Sequence, residues 1–514
     1  MKQERFIHIL TLFYILPLAF FLIANTIFSL TQTTYMELYL DTEKPLYKAD
    51  SPLLLLFIIL IFLLLCGYLF NTREISQKLC RTIERMTLAF AAVMCLIIIF
   101  LFRVSVACDS AALSEIAIAF LNGDFSSLTG DGYLLHYPHQ LGMVGFLQLI
   151  YFLFGIENYT LLQLLNVLAI VCTIYYLHRI TEDLFENNHI QLMLSILCIG
   201  MLPLYLYSTF IYGDIPGLGF IVPTIYYIIR YLNTEQKRLL IPALVYMTFA
   251  MICKSSNSVI LAAAAITLVL HSILRKKPFS IVFAAVLIAG PVIANSCINA
   301  YYATAAGLGT IPSGIPKIAW VAMGLQENDY LENGWYNSYN WATYNQYGYD
   351  TAQTTAACMA SIKESLLSFV SAPKAGLYFF YKKFIAQWND PSFLSQIIVE
   401  WYSRHRDDQS SFALYLIYGN GRFIVEAIMN IYHFMVLTGA SIYTVQSIRK
   451  WSLSDAFLSL CVFGGYFLYI FWEAKSRYGL GYFVMCVPMA AFGLWILTKA
   501  LHGFLHKRLS KLSS

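Results

Sequence analysis

Charge is scarce in this chain. Asp, Glu, Lys and Arg make up 12% of its 514 residues, roughly half the share of a soluble domain. With 59% hydrophobic residues and a mean hydropathy of +0.63, that scarcity excludes an ordinary soluble protein. No basic tract is long enough to track a phosphate backbone, and the net charge is only +4, so nucleic acid is excluded as a partner. The 11 cysteines contain no CxxC pair and fall mostly inside apolar runs, which argues against a disulfide framework. Tandem repeats of solenoid period and low-complexity tracts are missing too. The N-terminal apolar stretch lacks the small-residue exit of a signal peptide, so it reads as a retained first span.

What is there in quantity is long apolar runs near the length that crosses a bilayer. Candidate spans are 6–30, 52–70, 87–107, 159–178, 190–207, 215–232, 238–253, 256–273, 279–300, 423–446, 454–472 and 478–500. The expected fold is therefore an all-α polytopic membrane protein with about twelve crossings. Basic segments assign sides: Lys2 and Arg5, the loop with Arg73, Lys78, Arg81 and Arg85, "LRKKP" at 274–278, "IRKW" at 448–451 and the tail "HKRLSKLSS" are expected to be cytoplasmic, as are both termini. Counting crossings from either direction puts 108–140 on the outside only if 141–155 does not cross. That segment makes about 22 Å of helix against a hydrocarbon core near 30 Å, so it is expected to be a half-span or re-entrant helix. Four regions follow: 1–86, an N-terminal hairpin of spans; 87–300, a core that includes the outer loop 108–140; 301–422, a large extracytoplasmic loop domain; and 423–514, the last spans and basic tail.

The ionisable residues that break this pattern are few. "CDSAALSEIAIAFLNGDF" places Asp109 where the third span ends and a second helix starts, with Leu113, Ile116, Ala117, Phe120 and Leu121 opposite Ser110, Ser114 and Glu115. That helix is expected to lie on the membrane surface with its apolar face in lipid, capped by Asn122-Gly123. Aspartate is also a favoured N-cap, and Asp109 reads equally as one. In "TFIYGDIPGLGF" Asp214 sits at the mouth of a span, and in "MICKSSNSV" Lys254 interrupts an apolar hairpin. "WEAKSRYGLGYF" carries Glu473, Lys475 and Arg477 between two spans. Ionisable groups at membrane depth are costly and tend to be functional. Against this, Lys254 can snorkel, and Glu473 can simply pair with Arg477. Segment 301–422 is too polar for a membrane and too long for a connector. Its stretch "GLQENDYLENGWYNSYNWATYNQYGYD" has the aromatic and amide side chains that contact sugars, or that anchor a protein at an interface.

The ordered set Asp109, "NGDF" at 122–125, "HYPHQLG" at 136–142, Asp214, Lys254 and Arg477-Tyr478 resembles the GT-C superfamily of glycosyltransferases that use polyprenyl-phosphate sugars. Protein O-mannosyltransferases and lipid A aminoarabinose transferases belong to it. The likeness covers roughly 87–300 and 454–500. Departures are Asp109-Ser110 for the common Asp-Glu, His136 and His139 for a lysine near the prolines, and Lys254-Ser255 for Lys-Gly.

The resemblance implies a GT-C-like bundle and an enzyme of the bacterial cytoplasmic membrane with an outward site. It would move a hexose from an undecaprenyl-phosphate donor to a cell-envelope glycan, a wall polysaccharide or teichoic acid, with inversion. Asp109 would be the general base, and Lys254, Arg477 and Arg103 would hold the donor phosphate, unless Arg103 pairs with Asp109. Asp214, Glu115, His136, His139, Glu473 and Tyr478 would bind or orient substrates. No cofactor is required; a divalent metal, at His136 and His139 or at Asp214, is not favoured. The rivals are a transporter or flippase of lipid-linked sugars, which would carry its charges near the midplane, and a non-catalytic scaffold. Donor, acceptor glycan and lipid bilayer are the expected partners.

Overall fold

The computed structural model describes residues 2–39, 42–71, 75–328, 331–404, 406, 408–449 and 452–512. Arg73, the Lys450-Trp451 half of "IRKW", and Ser513 and Ser514 of the tail lie outside the described residues. The fold is an all-α polytopic membrane protein. Among the described residues, ten helices are long and apolar enough to cross a bilayer, or eleven if Asn188–Ile199 and Leu202–Thr209, bent by 48°, form one broken span.

The expected count of twelve is thus too high by length alone. One difference is 190–207, which is the bent pair; the other is 238–253, which folds as a 3-10 turn, Lys237–Leu239, and a short helix, Leu240–Cys253. That helix nevertheless runs antiparallel to Asp214–Thr234 along its whole length. Lys254 meets Asp214 at one end, and the Lys237–Leu239 turn packs on the Asp214–Thr234 helix at the other. The third span begins earlier than expected, at Gln77, because Ser76 caps it by accepting from the Leu79 amide; Lys78, Arg81 and Arg85 ride its exposed first turns.

Helix Leu141–Phe154 stays at one end of the bundle. Gly142 adjoins the Ile252 carbonyl, and Gln148 bonds Tyr302 near the end of Phe279–Ala305. Tyr151 reaches Ser114, as does Tyr159 at the start of the next helix. Helix Cys108–Leu121 lies on top of it. Its apolar face is covered by protein and not by lipid, which corrects the sequence expectation. Ser110 and Ser114 are buried on that side because Tyr402 and Tyr151 take up their hydroxyls at 2.9 and 2.7 Å.

An antiparallel hairpin of strands Gln32–Tyr39 and Thr42–Ala49 follows the first helix. Thr34 and Gln32 fix it to Asn389, and Arg422 donates to the Met36 carbonyl. Segment 301–422 folds in two parts. Ile315, Ala319, Ala322, Tyr344 and Cys358 form a small core of their own over the bundle end, whereas Ile385–Tyr402 is packed into the main core.

The first and second spans present leucines and phenylalanines outward, as lipid requires. The centre is built from Asp214–Thr234 and Leu480–Leu512, the two most buried spans. Leu480–Leu512 meets Gly421–Ser447 at a backbone contact: a Cβ on Gly493 would stand 1.9 Å from the Gly439 carbonyl oxygen, and one on Gly439 2.4 Å from that of Ala490. Small residues that let helices touch are the usual glue inside membranes. Gly493→Ala is therefore expected to destabilise the protein by about 1–3 kcal/mol, seen as a lower thermal midpoint in detergent, while Gly503→Ala, where nothing lies within 4 Å, leaves it unchanged.

Candidate active site

The site is assembled where several spans end on the same side. Asp214 opens its helix, and Gly213 lets that turn press on the Cys253 carbonyl, 2.0 Å from where a Cβ would be. Leu240–Cys253 stops there. Lys254 is extended, and a 3-10 turn, Ser255–Asn257, leads into the next helix. The Lys254 ammonium, itself half-buried, therefore falls on Oδ1 of the buried Asp214, while Asp214 Oδ2 is buried with no partner among the described residues. From the third side comes the break between Leu453–Phe471 and Leu480–Leu512, which brings Arg477. Its guanidinium lies 5.1 Å from the Tyr212 ring and 5.3 Å from that of Phe210, and its Nε is buried with no partner among the described residues.

A cavity of about 710 Å³ opens beside this cluster. Asp109, His139, Glu473, Arg477 and Tyr478 line it. Lys254 and Asp214 line a separate pocket of about 40 Å³ that shares Arg477 and Tyr478 with the cavity, so those two residues form the wall between them. Asp109 is in the first turn of its helix and exposed. It does not cap: the cap is Ala107, and Asp109 Oδ1 instead receives the Tyr133 hydroxyl at 3.4 Å. The residue before it, Cys108, is held at φ +51°, a strained conformation of the kind found beside functional groups. Tyr133 also bonds Tyr212, and Gln140 donates to the Tyr212 hydroxyl, so a run of hydroxyls joins Asp109 to the ring that faces Arg477.

Glu473 does not pair with Arg477 among the described residues. It is 4% exposed, and its backbone N–H is held by the Trp320 carbonyl at 3.1 Å. Burial pushes its carboxyl up to about 7, with Lys475 and Arg477 opposing the rise and Glu43 and Asp109 adding to it. Lys475 is taken by Glu43 at 2.9 Å. Burial works against the charge on Glu43, but Lys475 and then Arg477 hold its carboxyl below the usual range. His139 sits edge-on to Trp320 on the cavity wall and is exposed; desolvation by the protein around it, helped by Lys317, lowers its imidazole.

The other expected residues stand apart. Arg103 is an exposed left-handed cap at φ +47°, 3.8 Å from Asp408. It lies outside the cavity and does not pair with Asp109, because the chain turns away after Phe102. Glu115 is exposed on the Cys108–Leu121 helix, off the cavity wall. His136 is buried between the Gly132 carbonyl at 2.9 Å and Asn345 Oδ1 at 2.7 Å, where it joins the outer loop to segment 301–422. It does not converge with His139, and among the described residues no three His, Cys, Asp or Glu side chains gather as a metal site would need.

Wall residues that sequence reasoning missed include Thr42 and Glu43 of the hairpin, Tyr133, Tyr212 and Trp320. The β-branched and aromatic residues of "QTTYMELY" were the local signal for the hairpin.

Lys383 supports the wall from behind. Although only 2% exposed, it donates to the carbonyls of Gly324, Ile470 and Trp472 at 2.5, 3.0 and 2.8 Å. It thereby caps the end of Leu453–Phe471 just before Glu473. Burial lowers its ammonium to about 7, with Glu473 pulling the other way.

Residues 141–294 match the family model described as dolichyl-phosphate-mannose-protein mannosyltransferase, which is part of the GT-C superfamily. No curated protein matches the chain. The matched segment contains Asp214 and Lys254, while Asp109 and the 473–478 loop flank it. Over that segment, which lies among the apolar spans, the chain is similar to membrane glycosyltransferases of the GT-C type.

Two outcomes follow from this geometry. Lys383→Met keeps the chain length but leaves three carbonyls without a donor, and is expected to cost about 2–4 kcal/mol of stability, measured by thermal unfolding in detergent. Glu473 carries its proton below about pH 7 and is ionised above it. The pH profile of kcat/KM is therefore expected to rise through pH 7, as the carboxylate becomes able to accept a sugar hydroxyl, and Glu473→Gln to lose that inflection.

Proposed function

We propose that this chain, a GT-C glycosyltransferase by its match over 141–294, transfers a hexose from an undecaprenyl-phosphate donor to a hydroxyl of a cell-envelope glycan. The membrane is the bacterial cytoplasmic membrane, with both termini inside and the cavity facing out. The observation that carries the reading is Arg477: a partly desolvated cation with an unsatisfied Nε, set between an open cavity that holds a carboxylate and a small pocket that holds Lys254. An anionic phosphate group satisfies that Nε and makes charge-assisted hydrogen bonds with the guanidinium. The small pocket is lined by Leu218, Ile221, Ile260, Leu480 and Met485, apolar side chains beside which the first carbons of a lipid chain would lie.

The chemistry divides accordingly. The acceptor oxygen attacks the anomeric carbon as its proton passes to Asp109. The bond from that carbon to the phosphate oxygen breaks, and the phosphate leaves with the electron pair. Arg477 lies where that negative charge collects, with Lys254 behind it. Attack from the side opposite the leaving group inverts the anomeric carbon. Asp214 keeps Lys254 oriented and charged in the free enzyme. Charges gathered at one end of the bundle, rather than at mid-depth, favour transfer chemistry over transport.

The test is transfer by the purified chain with a panel of undecaprenyl-phosphate hexoses. Asp109→Asn is expected to retain the fold and lose about 10²–10⁴-fold in kcat; near-normal turnover would remove Asp109 as the base. Lys254→Ala alone would leave Asp214 buried and unpaired, so Lys254→Ala is paired with Asp214→Asn. The double variant is expected to raise the donor KM about tenfold or more, and an unchanged donor KM would assign the pair to structure.

A further inference from the structure

Resting on that transferase reading, we infer that the acceptor is an uncharged glycosyl unit seated on the part of the cavity wall built by Trp320, Tyr336, Asn337 and Asn340. Every one of these residues comes from segment 301–422, outside the 141–294 match, so this wall belongs to the chain's own choice of acceptor.

Charge decides the class. Among the described residues, the cations lining the cavity are Lys475 and Arg477. Lys475 is neutralised by Glu43 at 2.9 Å. Arg477 belongs to the donor side, since it also lines the pocket of Lys254. His139 is next to Trp320, and an imidazole lowered from its ordinary value by the surrounding protein and Lys317 is neutral at physiological pH. Lys317, which influences it, is exposed and not part of the wall. Asp109 and Glu473 line the same space. A polyol phosphate acceptor would meet two carboxyl groups and, among the described wall residues, no uncommitted cation; like charges brought together this way are rejected.

The shape fits a sugar. Trp320 stacks on Trp472 with ring centroids 5.9 Å apart and planes 10° from parallel, and His139 and Tyr137 meet it edge-on at 6.0 and 6.2 Å. A ring fixed on so many sides offers flat apolar surface with little ordering left to lose on binding. Tyr336, 38% exposed, stands on the same wall. The Asn337 amide is oriented by donating to Gln326 Oε1 at 2.9 Å and accepting from the Tyr339 N–H at 3.0 Å. That leaves one N–H and one lone pair for a hydroxyl that both donates and accepts.

The experiment uses the full chain in lipid nanodiscs with radiolabelled undecaprenyl-phosphate hexoses and three acceptor probes: neutral octyl glycosides, a glycerol-phosphate oligomer and a Ser/Thr-rich peptide. Transfer to the octyl glycosides is expected. Trp320→Ala and Tyr336→Ala should each raise the acceptor KM about tenfold with the donor KM within about twofold, and Trp320→Phe should fall between, which separates ring loss from misfolding. Preferential transfer to the glycerol-phosphate oligomer or the peptide would overturn this inference while leaving the transferase reading intact. So would an unchanged acceptor KM in both alanine variants. A wild-type chain that consumes no donor, by transfer or by hydrolysis, would instead overturn the transferase reading and this inference with it.

Discussion

The Lys254–Asp214 ion pair and the Arg477 guanidinium beside it set the terms for the rest of the structure. Removing charge from water costs several kcal/mol per ion, and only close partners return that free energy. Here the partners are delivered by three chain segments that each stop or break at one level: the start of Asp214–Thr234, the end of Leu240–Cys253, and the loop between Leu453–Phe471 and Leu480–Leu512. The glycine at 213 exists for that approach, since any side chain there would collide with the Cys253 carbonyl. Among the described residues, Asp214 Oδ2 and Arg477 Nε of this cluster have no hydrogen-bond partner. The unsatisfied guanidinium nitrogen is the one an anionic head group would fill in the proposed reaction.

Around that cluster the cavity is a composite. The outer loop supplies Asp109 and Tyr133, the N-terminal hairpin supplies Glu43, and segment 301–422 supplies Trp320 and the asparagine wall. Lys383 joins two of these parts by holding the carbonyls on either side of the Trp320–Trp472 stack. The division matches the chemistry proposed. The groups proposed to meet the lipid phosphate stand where spans end, and those proposed to meet the acceptor come from segment 301–422.

Much of this was legible in the sequence because the membrane makes charge rare. Asp214, Lys254 and Arg477 stood out against apolar runs, and all three meet. Length and parity led to the expectation that 141–155 does not cross; the helix there is only Leu141–Phe154 and packs against Ile252 and Tyr302. Arg103 misled because proximity in sequence to Asp109 suggested proximity in space, whereas two left-handed residues, Arg103 and Cys108, turn the chain between them. The buried face of Cys108–Leu121 was misread because serine looks polar in a pattern, and only the facing tyrosines reveal that it is satisfied inside. Glu43 and Trp320 carried no local mark; they reach the site through long-range packing that periodicity does not encode.

The account is tested most directly by a structure of the chain bound to an undecaprenyl-phosphate hexose. It predicts phosphate oxygens within hydrogen-bond distance of the Arg477 guanidinium on the Lys254 side, and the hexose in the cavity with its anomeric carbon open toward Asp109. A phosphate bound at the opposite end of the bundle, beside the Glu84–Arg179–Glu182 cluster, or a hexose with Asp109 out of reach of the anomeric carbon's open face, would contradict it.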